Sequence, residues 1–94
     1  MKIDDIIRRI QNCKYYLWDN TELVVELGML QHRFRELKEV GLTEIPSEVI
    51  RNIEKEWEDM SRYMRESPLL EQSKICRAIR DSHKIVLEEI ENVR

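Results

Sequence analysis

Three short breaks divide this chain into four amphipathic stretches, each with apolar residues recurring at three-and-four spacing, and that periodicity constrains the fold more than any other feature. Asp19-Asn20-Thr21 is the first break, Gly41 to Pro46 the second and Ser67-Pro68 the third. With only 2 glycines and 2 prolines, the chain lacks the turn chemistry that the many reversals of an all-β fold demand. One all-α domain spanning residues 1–94 is the expectation.

The first helix is predicted over residues 3–18, where Ile3, Ile6, Ile7, Ile10, Cys13 and Leu17 share a stripe and Asp4 and Asp5 favour the dipole of the first turn. The second runs over 21–40 on a seam of Leu23, Leu27, Leu30, Phe34 and Leu37, with Gly41 as its left-handed terminator. The third spans 46–66, starting at Pro46 where a missing N–H costs nothing, and carries Val49, Ile50, Ile53, Trp57, Met60 and Met64 on one face. Ser67 and Pro68 open the fourth, over 68–93, with a seam of Leu69, Gln72, Cys76, Ile79, His83, Val86, Ile90 and Val93. Short connections make consecutive helices antiparallel neighbours, which gives an antiparallel, up-down-up-down four-helix bundle. Were the first break only a kink, helices one and two would merge and the resulting three-helix protein would complete its core by homodimerisation.

The 16 basic and 19 acidic residues leave a net charge of −3, too balanced for a global field that would hold nucleic acid or an anionic bilayer. Residues 41–66 hold 7 acids against 4 bases and account for the whole imbalance. Acids interrupt the apolar residues of MKIDDIIRRIQ, which therefore reads as neither a signal peptide nor a membrane span, and a cytoplasmic location is expected. Cys13 and Cys76 fall on apolar faces without CxxC spacing and read as small buried hydrophobes. In an up-down bundle the end of helix one lies level with the start of helix four, which would bring the two thiols into nearby layers.

Chemistry-bearing constellations are sparse. The Glu-x-x-His pattern of carboxylate-bridged metals is missing, since Arg80 precedes His83 by three and Met29 precedes His32 by three, and HExxH and paired CxxC are missing too. No metal, cofactor or small-molecule substrate is implied. Gly28 and Gly41 cannot make a phosphate loop, and neither cysteine has a histidine within one helical turn. His83 sits in the seam of helix four between Ile79 and Val86, where it reads as a register-fixing polar residue, and with no carboxylate on that seam burial is expected to disfavour its charged form. The run Leu23 to Gly28 superficially resembles the middle of the long first helix of AroQ-type chorismate mutases. That family needs converging arginine and lysine side chains, and His32 stands here where a lysine would be wanted.

Two surfaces remain. Val25, Met29 and Val40 fall opposite the Leu23–Leu37 seam, and Tyr15, Tyr16 and Trp18 crowd the end of helix one, with Tyr15 well off the buried face. Exposed apolar residues of this sort mark protein recognition, so Tyr15, Trp18, Val25, Met29 and Val40 are the candidate partner-binding residues. Arg77, Arg80 and Lys84 line one flank of helix four and are the candidate nucleic-acid contacts, diluted by Asp81 and Glu88. The expected function is a non-enzymatic interaction protein, such as a small intracellular regulator, adaptor or inhibitor, that binds a protein partner or a second copy of itself. A DNA- or RNA-binding regulator is the alternative, and a small helical enzyme stands third.

Overall fold

The computed structural model describes residues 1–93, which form five helices: α1 (Ile3–Tyr16), α2 (Thr21–Glu39), α3 (Ser47–Glu66), the single turn α4 (Pro68–Glu71) and α5 (Lys74–Val93). The first break is a true reversal. Asn20 caps α2 by accepting from the Leu23 amide through its side chain, and α1 runs antiparallel to α2, with Lys38 Nζ 2.7 Å from Asp4 and Lys14 Nζ 3.1 Å from Gln31. Helices one and two are therefore separate, and the reading of one kinked helix is set aside. Gly41 follows α2 at a φ of 95°, a conformation that a Cβ would strain.

The predicted fourth helix is cut in two. Ser67 and Pro68 do open a helix, but its side chain makes no capping bond and the helix ends at Gln72 after one turn; Ser73 Oγ then accepts from the Cys76 amide at 3.2 Å and caps α5. Leu69 and Gln72 consequently leave the seam, and Leu69 is 81% exposed. Cys76 and Ile79 are half-buried, Val93 is exposed, and His83, Val86 and Ile90 carry the buried face of α5.

The core is one cluster built from all four long helices. Ile3, Ile6 and Ile10 come from α1, Leu23, Leu27, Leu30 and Phe34 from α2, Ile50 and Ile53 from α3, and Ala78, Val86 and Ile90 from α5. Burial of these side chains, at ~25 cal/mol per Å² of apolar surface, supplies the main drive to fold. The helices do not close into a ring of sequential neighbours. α2 packs along α1 and α5, α3 packs on α5 and α4, α1 also touches α5, and among the described residues no close backbone approach joins α2 to α3. The linker between them is held by the start of the chain, where Ile3 N donates to Thr43 O at 2.8 Å and Ile45 N to Met1 O at 3.0 Å. Within the described residues no helix is long and apolar enough to cross a membrane.

Candidate functional site

Side chains bridge the gap between α2 and α3. Arg33 Nη1 donates to both Glu56 oxygens at 2.8 and 2.9 Å, and Glu56 Oε2 lies 2.6 Å from His83 Nε2, so a single carboxylate on α3 ties α2 to α5. His83 is only 5% exposed, and its Nδ1 lies 2.7 Å from the Ile79 carbonyl one turn back. This corrects the expectation for His83. Its seam on α5 carries no acid, but α3 supplies one, so the premise that burial acts alone on the imidazole fails. Both ring nitrogens face acceptors, a carbonyl and a carboxylate, and each contact is a hydrogen bond when that nitrogen carries its hydrogen.

Burial pushes the Glu56 carboxyl up, but hydrogen bonds and charge from Arg33 and His83 outweigh it and hold the group below its ordinary value. A carboxyl depressed in the folded state contributes stability above its unfolded value and loses it as pH falls through the folded one. Wild-type stability in urea is therefore expected to decline below about pH 4. Glu56→Gln should be the less stable protein at neutral pH, with the two curves converging in acid; parallel curves across that range would contradict the bridge.

Outside this bridge lies the second face of α2. Val25 and Met29 are 55% and 59% exposed although the opposite side of the same helix, at Leu27 and Phe34, is fully buried. An open groove of about 440 Å³ runs beside them, lined by Val25, Glu26, Met29, His32, Arg33 and His83 among others. His32 Nε2 holds Glu36 at 2.8 Å farther along the face, and Val40, 77% exposed, ends it. Tyr15, Tyr16 and Trp18 gather at the α1–α2 turn, where Tyr15 and Tyr16 meet edge to face with ring centroids 5.9 Å apart. All five candidate partner-binding residues thus lie on the surface: Val25 and Met29 on α2, Val40 just past its C-terminal end, Tyr15 in the last turn of α1 and Trp18 in the turn between the two helices.

The basic flank of α5 is engaged within the chain. Arg77 Nη2 donates to the Gln72 carbonyl at 3.3 Å, Arg80 Nε to Asp81 at 3.0 Å, and Lys84 Nζ sits 5.0 Å from the Trp57 ring centroid while meeting Glu88 at 4.0 Å. Arg77 also lines a mixed-charge groove with Lys74, Asp19, Glu22 and Asp81. The three cations do not form an uncompensated strip.

Both cysteines are free and half-buried. They do not share a layer: the Cys13 thiol donates to Glu89 at 3.7 Å, and Glu89 lies thirteen residues beyond Cys76 on α5, roughly 20 Å at ~1.5 Å per residue. A disulfide needs Cα atoms within ~7 Å. Burial, then the Glu89 charge and hydrogen bond, raise the Cys13 pKa against the opposing Arg9, so its thiol stays protonated and is a weak nucleophile. Among the described residues no three His, Cys, Asp or Glu side chains come together as a metal set.

Sequence reasoning passed over Gln31, which is fully buried on α2. Its Nε2 donates to Ile7 O at 3.0 Å and to Gln11 Oε1 at 3.1 Å, and its Oε1 accepts from Lys14, so one amide is clasped by three consecutive turns of α1. Its place four residues after Leu27 on the seam was the available signal. Glu56 gave none, since nothing in a single helix says which neighbour its charged residues will meet. No family model matches the chain, and no curated protein and no solved structure shows a significant similarity to it.

Proposed function

We propose that this protein is a non-enzymatic interaction module, a small cytoplasmic regulator, adaptor or inhibitor that binds a protein partner through an exposed helix face. The observation that carries this reading is the two-sided apolar character of α2: Leu27 and Phe34 are fully buried on one side, and Val25 and Met29 are more than half exposed on the other. Apolar side chains backed by a rigid, fully packed helix face are preorganised, so a partner that covers them gains burial without ordering the backbone first. Trp18, Tyr15 and Tyr16 add the residue types that dominate interface energetics. A nucleic-acid role for Arg77, Arg80 and Lys84 has less support, because each is already engaged within the chain.

A photoreactive amino acid at position 25 or 29, expressed in the native host, tests the reading. One defined protein adduct is expected from these positions and none from Arg51 or Glu58, exposed polar sites on α3. Absence of any adduct, or the same adducts from all four sites, would defeat it.

A further inference from the structure

Three aromatic side chains stand in the open where α1 turns into α2. Tyr15 and Tyr16 end α1, Trp18 lies two residues on, and each is more than three-quarters exposed. Among the described residues these three alone line a hollow of about 350 Å³. The two tyrosine rings stand at 82° to each other, so a group seated in the angle between them meets both faces. The backbone beneath is fixed: Leu17 N donates to Cys13 O at 3.0 Å, Asn20 N donates to Leu17 O at 2.9 Å, and the Asn20 side chain caps α2.

A ring face is electron-rich and attracts a cation. Tyr63 and Trp57 each hold one from within the chain, with Arg62 5.2 Å from the first ring centroid and Lys84 5.0 Å from the second. Among the described residues no cation lies over Tyr15, Tyr16 or Trp18, and the neighbouring Lys14 reaches Gln31 instead. We infer that the hollow formed by Tyr15, Tyr16 and Trp18 is a binding site for a quaternary ammonium group, supplied by a trimethylated lysine side chain of the protein partner. This deepens the functional reading above and rests on it. An unmethylated lysine ammonium is strongly hydrated and brings three N–H donors. The hollow has no carboxylate to accept them, so entering it costs that ion its water without replacement. Methylation removes the donors, keeps the charge and adds apolar surface for the rings to cover. The choline of a phospholipid offers the same group but carries a phosphate beside it, and the exposed Asp19, next to Trp18, opposes that anion.

NMR titration of the intact protein with trimethyllysine blocked at both ends is the experiment. It is read at the Trp18 indole, at the tyrosine rings and at the methyl protons of the probe, which ring currents move upfield over aromatic faces. The expected result is saturable binding about tenfold tighter than that of the neutral analogue with carbon in place of the ammonium nitrogen, and tighter than that of blocked lysine or methylguanidinium. Tyr15→Leu and Trp18→Leu keep apolar bulk at exposed positions and should each erase the preference for charge, whereas Tyr63→Leu should leave it unchanged. Far-UV circular dichroism verifies that the variants keep their helices. Equal binding of the charged and neutral probes, tighter binding of methylguanidinium, or no binding of trimethyllysine overturns the inference. Binding confined to phosphatidylcholine vesicles also overturns it, by making the site a lipid contact. If the photoreactive residue at 25 or 29 traps a protein while trimethyllysine fails to bind, the inference falls and the interaction reading stands.

Discussion

Phe34→Ala is expected to lose about 3–5 kcal/mol of folding free energy, at the upper end of the range for truncating a core side chain. Phe34 is fully buried and belongs to the cluster in which α1, α2, α3 and α5 all take part. Truncation removes the transfer energy of the ring and leaves a cavity that helices packed on several sides cannot fill by collapse. A domain of this size holds only about 5–15 kcal/mol in total, so the variant should be substantially unfolded at modest urea. Phe34→Leu keeps most of the volume and should cost clearly less. Equilibrium urea unfolding reads both, and a loss below about 1 kcal/mol for the alanine variant would show that the residue does not occupy a closed core site.

The second large effect belongs to Gln31. Gln31→Ala should cost about 2–4 kcal/mol, because it opens a cavity in a fully buried position and removes the hydrogen bonds from its amide to Ile7 and Gln11 and from Lys14 to its oxygen. Gln31→Leu separates the two causes. It refills the volume with apolar atoms, and the partners it releases have elsewhere to turn: Gln11 is exposed, Lys14 is half-buried and the Ile7 carbonyl lies within the α1 ladder. The leucine variant should therefore fall within about 1 kcal/mol of wild type. Equal losses in the two variants would mean that the amide network, rather than the packing, holds α1 to α2.

Much of the fold was legible because periodicity is a local property. The stripes of the first three helices, the Gly41 terminator and the existence of a break at Asp19-Asn20-Thr21 all follow from neighbours within a turn or two, and the structure bears them out. The division of the fourth helix was not legible for the same reason. Leu69 and Gln72 stand seven and four residues before Cys76, so they fit its period, and the start signal at Ser67-Pro68 masks the second cap at Ser73. Which helices touch was the least legible. Short connections pointed to α3 beside α2, but the chain's start takes up the linker at Thr43 and Ile45, and α3 rests on α5 instead. The Arg33–Glu56–His83 bridge spans the gap this leaves, so its partners depended on a tertiary arrangement that no single helix encodes.

Val25→Glu/Met29→Glu tests most directly whether α2 has two separable faces, one that builds the fold and one that is free to recognise a partner. Urea unfolding of this double variant at high dilution, where association contributes nothing, is the measurement. Both side chains are more than half exposed, so the variant should keep its helicity and stay within about 1 kcal/mol of wild type. A monomer that unfolds, or that loses stability on the scale of Phe34→Ala, would contradict the account by placing this stripe in the core.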